Sequence, residues 1–145
     1  MILRICCKCT DSSFRTYTED YSDASDIARD SERILADMRR KPWNGMSTRE
    51  AAVQFSDSLA KLWRVHPFRE GNTRTILTFC CQYADEVGLT PDRSLFEDHA
   101  AYVRTALVAY NAVFDDIGDV SKPEYLIRIV EDALYRARGR PRRPK

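Results

Sequence analysis

Apolar residues recur at helical spacing along most of the chain. Ile27, Ile34, Leu35 and Met38 fall on one face, with Ser25 as the expected N-cap and Lys41-Pro42 as the stop. Asn44-Gly45 then marks a turn. Ser47-Thr48-Arg49-Glu50 has capping-box spacing and opens a second helix with Ala52, Phe55, Leu59, Leu62 and Trp63 inward. Pro67 disfavours helical geometry at His66, so that helix ends just before it. The apolar run from Ile76 to Val87 predicts a third helix, with Gly88 just past its C-cap. After a connection from Leu89 to Arg93, the residues Val103, Ala106, Leu107, Tyr110, Val113 and Phe114 share the face of a fourth helix, broken by Gly118. A second capping-box spacing, Ser121 to Glu124, opens a fifth with Leu126, Ile129, Val130, Ala133 and Leu134 buried. Only Phe14 to Thr18 alternates as a strand would, with a second extended piece near Tyr21; an irregular arm fits the same residues. No repeat or linker interrupts the pattern. It predicts one all-α domain of five main helices over residues 1–138.

Composition narrows the class. A chain of 145 residues can build one real core, and 43% hydrophobic with 31% charged residues is globular usage. No apolar run approaches the roughly 20 residues of a membrane span. The first residues are too short and too charged, at Arg4 and Lys8, for a signal peptide. Five cysteines, of which only Cys6 and Cys9 have C-x-x-C spacing, give little support for a zinc site or a disulfide framework. Cys80 and Cys81 sit in the apolar run and read as small buried hydrophobes, so a reducing cytoplasm is the expected compartment. The net charge of +1 is uneven. Arg136, Arg138, Arg140, Arg142, Arg143 and Lys145 put +6 at the end, which leaves −5 on the rest. A weakly acidic domain with a basic tail over 139–145 is not the footprint of a nucleic-acid binder; the tail is expected to be solvated and disordered.

The candidate chemistry is concentrated in His66-Pro67-Phe68-Arg69-Glu70-Gly71-Asn72-Thr73-Arg74. It lies between two predicted helices. Backbone N–H groups at a helix N-terminus opened by glycine bind phosphate. Glu70 is a hard oxygen ligand suited to Mg²⁺. Arg74 could fork onto a phosphate. His66 is the group with an ordinary pKa near neutrality, the natural general base. Arg69 is expected in solvent, and His99 is expected to be structural within a helix. Trp43, Trp63 and Tyr83 are expected at the core or its edge.

This stretch resembles the Fic motif, H-P-F-x-[D/E]-G-N-[G/K]-R-x-x-R. His66, Pro67, Phe68, Glu70, Gly71, Asn72 and Arg74 match; Thr73 replaces the usual Gly or Lys, and Leu77 replaces the second Arg. The resemblance runs from about Tyr17 to Leu134. It implies a helical bundle with the motif loop between two central helices. It also implies a short N-terminal β-hairpin, the flap, at residues 14–22, which holds a target segment by strand addition. With only about a dozen residues before that position, the chain looks shortened against the family.

By the same resemblance the activity is transfer of AMP from ATP to a Ser, Thr or Tyr hydroxyl of a target protein. His66 would take the hydroxyl proton. Glu70 would hold Mg²⁺ against the α- and β-phosphates. Gly71, Asn72, Thr73 and neighbouring N–H groups would cradle the phosphates. Arg74 would steady the leaving pyrophosphate, and Phe68 would plug into the core and fix the loop. The second Arg of the family pairs with the γ-phosphate or with the Glu of an inhibitory S/T-x-x-x-E-G/N motif; this chain has neither member, so a separate antitoxin or regulator is a candidate partner. The Doc branch also lacks that Arg, binds ATP flipped and phosphorylates its target. A Doc-like kinase, a transferase with another phosphate-linked donor, and a non-catalytic Fic binding module are therefore the rival readings.

Overall fold

The computed structural model describes residues 21–114 and 118–138. Six helices account for most of them: α1 Ile27–Arg40, α2 Thr48–Val65, α3 Asn72–Glu86, α4 Arg93–Asp98, α5 Ala100–Tyr110 and α6 Pro123–Arg138. Helix α2 is central, and α1, α3, α5 and α6 all pack on it. Its composition explains this position: Ala51, Ala52, Phe55, Leu59, Ala60, Leu62, Trp63 and Val65 are all buried, an apolar surface too wide for one neighbour. The predicted capping box starts it. Ser47 Oγ accepts from the Glu50 N–H at 3.2 Å, and the Ser47 N–H donates to the Glu50 carboxylate at 2.8 Å.

The predicted stop of α3 is also present. Gly88 takes the left-handed conformation (φ 83°). Its N–H donates to the Asp85 carbonyl, and the Leu89 N–H reaches back to the Ala84 carbonyl at 2.8 Å, the paired bonds of a Schellman close. Trp43 is buried against the end of α1 and the last turn of α3. Its Nε1–H reaches the Met38 carbonyl at 2.8 Å, and Tyr83 Oη donates to the same carbonyl at 3.0 Å.

Several elements differ from expectation. Asp26, not Ser25, precedes the first turn of α1. Asn44-Gly45 belongs to a short 3-10 turn, Trp43–Gly45. The fourth helix is two helices broken at exposed His99 (φ −117°, ψ 32°), so His99 is a junction residue rather than a helix interior one. The break lets Leu95 and Phe96 face the core in one direction and Val103, Ala106 and Leu107 in another. Helix α5 ends at Tyr110, well before Gly118. Val113 and Phe114 instead form β1, paired antiparallel with β2, Gly118–Asp119. Beta-branched Val113 and aromatic Phe114 suit an extended ribbon, and Gly118 supplies the left-handed φ of 78° there. Helix α6 begins at Pro123, one residue later than a Ser121 cap requires, and the Ser121 N–H donates to the Asp119 carboxylate at 2.9 Å. Residues 14–20 of the expected flap and the 139–145 tail lie outside the described residues; Tyr21 and Ser22, at the end of that flap, are irregular rather than strand. No helix among the described residues is long and apolar enough to cross a membrane.

Candidate active-site loop

The loop between α2 and α3 is bounded by two left-handed residues. His66 caps α2 at φ 52°, ψ 55°, with its N–H on the Trp63 carbonyl at 3.2 Å. Residues other than glycine rarely sit there, and Pro67 removes the right-handed alternative. Gly71 caps the start of α3 at φ 75°. A Cβ there would meet nothing closer than Thr75 Oγ1 at 4.0 Å, so glycine is required by the backbone angle and not by space.

Between these two residues the loop is held by side chain to backbone bonds. Buried Asn72 accepts from the Phe68 N–H at 2.9 Å and donates from Nδ2 to the Phe68 carbonyl. The Phe68 ring is half-buried and packs on the core, as expected of the residue that anchors the loop. Thr73 accepts from Trp63 Nε1 at 2.9 Å, tying the first turn of α3 to the last turn of α2. Helix α3 begins at Asn72, earlier than the apolar run from Ile76 suggested. The N–H groups of Asn72, Thr73 and Arg74 therefore have no partner within the helix, and the first to bond back is that of Thr75, on the Gly71 carbonyl at 2.9 Å. Such an end carries partial positive charge and suits an anion. Arg74, Glu70 and Arg69 are exposed around it.

His66 is half-buried among rings. Tyr21 stacks on the imidazole at 3.8 Å between centroids and 29° between planes, and Trp63 meets it edge-on at 5.7 Å and 82°. Burial pushes the His66 pKa below its ordinary value. The Trp63 carbonyl opposes this in part, and the Arg104 guanidinium on α5 adds to it. The ring is consequently neutral at pH 7. Its Nδ1 is buried without a hydrogen bond of normal geometry among the described residues.

The structure thus places His66, Phe68, Asn72 and Thr73 on one segment held by two links, Asn72 to Phe68 and Trp63 to Thr73, with Gly71, Glu70 and Arg74 on the same loop and helix start. Among the described residues no three His, Cys, Asp or Glu side chains gather as a metal cage. A single exposed carboxylate still fits Mg²⁺, which takes most of its ligands from water and phosphate. Positions 74 and 77 lie three apart on α3 but differ in burial. Arg74 is exposed, whereas Leu77 is half-buried and packs on the core with the stripe of Ile76 and Cys80. Sequence reasoning missed Tyr21 and Arg104 as neighbours of His66. Trp63, expected at the core or its edge, is buried and also walls His66; its position three residues before His66 on a helix carries that signal. An open cleft of about 730 Å³ runs between α1 and α2, lined by Arg33, Asp37, Arg40, Lys61 and Arg64; it shares Tyr21 with the loop but not His66.

The class these features define is an all-α domain with a polar loop opening onto a helix N-terminus. The chain belongs to the Fic/DOC family, whose model matches residues 9–84, just over half of its length. Membership points to a transferase of the Fic kind. The match ends in α3, short of the Leu134 that the motif-based resemblance suggested, so α4 to α6 lie outside it. Neither a curated protein nor a solved structure matches the chain.

Proposed function

We propose that the chain is a protein adenylyltransferase that moves AMP from ATP to a Ser, Thr or Tyr hydroxyl of a target protein. The observation that carries this reading is the pairing of a neutral, left-handed His66 with the open N-terminus of α3 on one clamped loop. In the reaction His66 removes the acceptor proton, the hydroxyl oxygen attacks the α-phosphorus, and the bond to pyrophosphate breaks. The N–H groups of Asn72, Thr73 and Arg74 and the Arg74 guanidinium offset the charge of the phosphates. Glu70 would hold Mg²⁺, which when bound supplies further charge neutralisation at the α- and β-phosphates. Asn72 and Phe68 keep the loop in one shape, which is the positioning that phosphate transfer needs. The target would dock on the flap segment at residues 14–22. A separate antitoxin or regulator is a candidate partner of the enzyme.

Leu77 favours a second reading, phosphorylation with ATP in the flipped pose, because a half-buried leucine offers nothing to a γ-phosphate. Incubation with α-labelled and, separately, γ-labelled ATP in a cell lysate decides between them. Label from the α position alone means AMP transfer, label from γ alone means kinase activity, and no label from either means a binding module.

A further inference from the structure

We infer that Tyr21 is a positioning residue for His66: its ring lies flat on the imidazole and, with Trp63 edge-on, holds the base in one orientation. The inference rests on the reading of His66 as general base. Three rings meet here, since Tyr21 also contacts Trp63 at 6.1 Å and 76°. An imidazole that works as a base is usually oriented by a hydrogen bond at its second nitrogen. His66 Nδ1 has none of normal geometry among the described residues, only the nearby Trp63 carbonyl, so the rings add to what fixes the plane.

The Trp63 wall is itself buried and bonded. It is 1% exposed, and its indole N–H is held by Thr73. This gives the Thr73 hydroxyl a task that a glycine at that position could not perform. Tyr21 is different in kind, being 39% exposed and distant from His66 in sequence. Neither chain continuity nor core filling accounts for a flat stack at 3.8 Å. The charged group that acts on the ring from a neighbouring element is Arg104 of α5, which Tyr21 does not displace.

The test uses the full chain and two readouts. The protein has two histidines, and exposed His99 serves as the reference in an NMR titration of the ring protons. Tyr21→Ala is expected to remove the ring-current shift of His66, to raise its pKa toward the ordinary value, and to lower kcat for transfer about 10- to 100-fold. The KM for ATP should stay within about twofold, since Tyr21 touches no phosphate-binding group. Tyr21→Phe should restore all of these, and Tyr21→Leu, which keeps bulk without a flat ring, should not. An active protein whose Tyr21→Ala form keeps its His66 titration and kcat overturns the proposal alone, as does failure of Tyr21→Phe to rescue. Wild-type protein that transfers nothing from either label overturns the reading of His66 as base and this proposal with it.

Discussion

Asn72 grips Phe68 at both polar ends of its backbone, taking the N–H at 2.9 Å and giving Nδ2 to the carbonyl. One buried amide thus closes the loop between His66 and α3 on itself. An amide suits this, because the grip uses an acceptor and a donor on two separate atoms of one short side chain.

Substitutions at Asn72 should therefore separate stability from binding. Asn72→Ala leaves two backbone groups without partners and should cost about 2 kcal/mol or more by chemical denaturation. Asn72→Asp keeps the acceptor for the Phe68 N–H and adds a negative charge at a helix N-terminus, so it should cost less. The same charge would repel phosphate, and ATP titration of the better-folded Asp variant should show the weaker binding. A variant pair with the opposite order of stabilities would contradict the grip.

His66 carries two consequences. Its replacement by Ala should lower transfer by about 10²–10⁴-fold while ATP binding survives, measured with the labelled nucleotide that proves productive. The depressed pKa also links to folding. Below the ordinary value of 6.5 the unfolded chain takes up a proton that the folded ring resists. Stability from this source is present above that pH and is lost as pH falls through the folded pKa beneath it. The wild-type melting temperature should thus drop more between pH 7.5 and 5.5 than that of His66→Asn. Parallel curves would show that burial of the ring does not depress its pKa.

Glu70 is the one acid of the loop. Glu70→Gln should leave the fold unchanged, since the side chain is exposed, and should remove the Mg²⁺ dependence of ATP binding in calorimetry. Equal Mg²⁺ dependence in both proteins would exclude the carboxylate as the ligand.

The sequence displayed the scaffold and the loop through local signals. The Ser47–Glu50 box, the Pro67 stop and the Gly88 close are all decided by residues within a few positions of one another. The split at His99 and the β1–β2 ribbon were not legible, because they are set by where Phe96, Val103 and Leu107 must point in three dimensions. The same holds at the site. Phe68 and Asn72 are four apart, and their contact follows from the motif. Tyr21 on His66 is a contact between distant segments, and no spacing rule in the sequence could have supplied it.

Leu77 gives the sharpest test of the nucleotide pose. It sits half-buried one turn beyond Arg74, on the stripe that packs against the core. A long side chain at such a position can lay its stem on the apolar surface and carry its charge to solvent. Leu77→Arg should therefore fold, with a lower melting temperature from the lost packing, about 1–2 kcal/mol by the usual cost of such a change. The native protein, lacking a cation there, should bind ATP and ADP within a few-fold of each other. The variant should favour ATP by a charge-assisted contact of about 1.5–3 kcal/mol, or roughly 10- to 100-fold. AMP transfer should rise with it, and any γ-phosphoryl transfer should fall, since the new cation holds the γ-phosphate away from the acceptor. Circular dichroism establishes the fold of the variant, and paired ATP and ADP titrations read the preference. A folded Leu77→Arg protein with the native ATP-to-ADP ratio would show that position 77 does not reach the γ-phosphate.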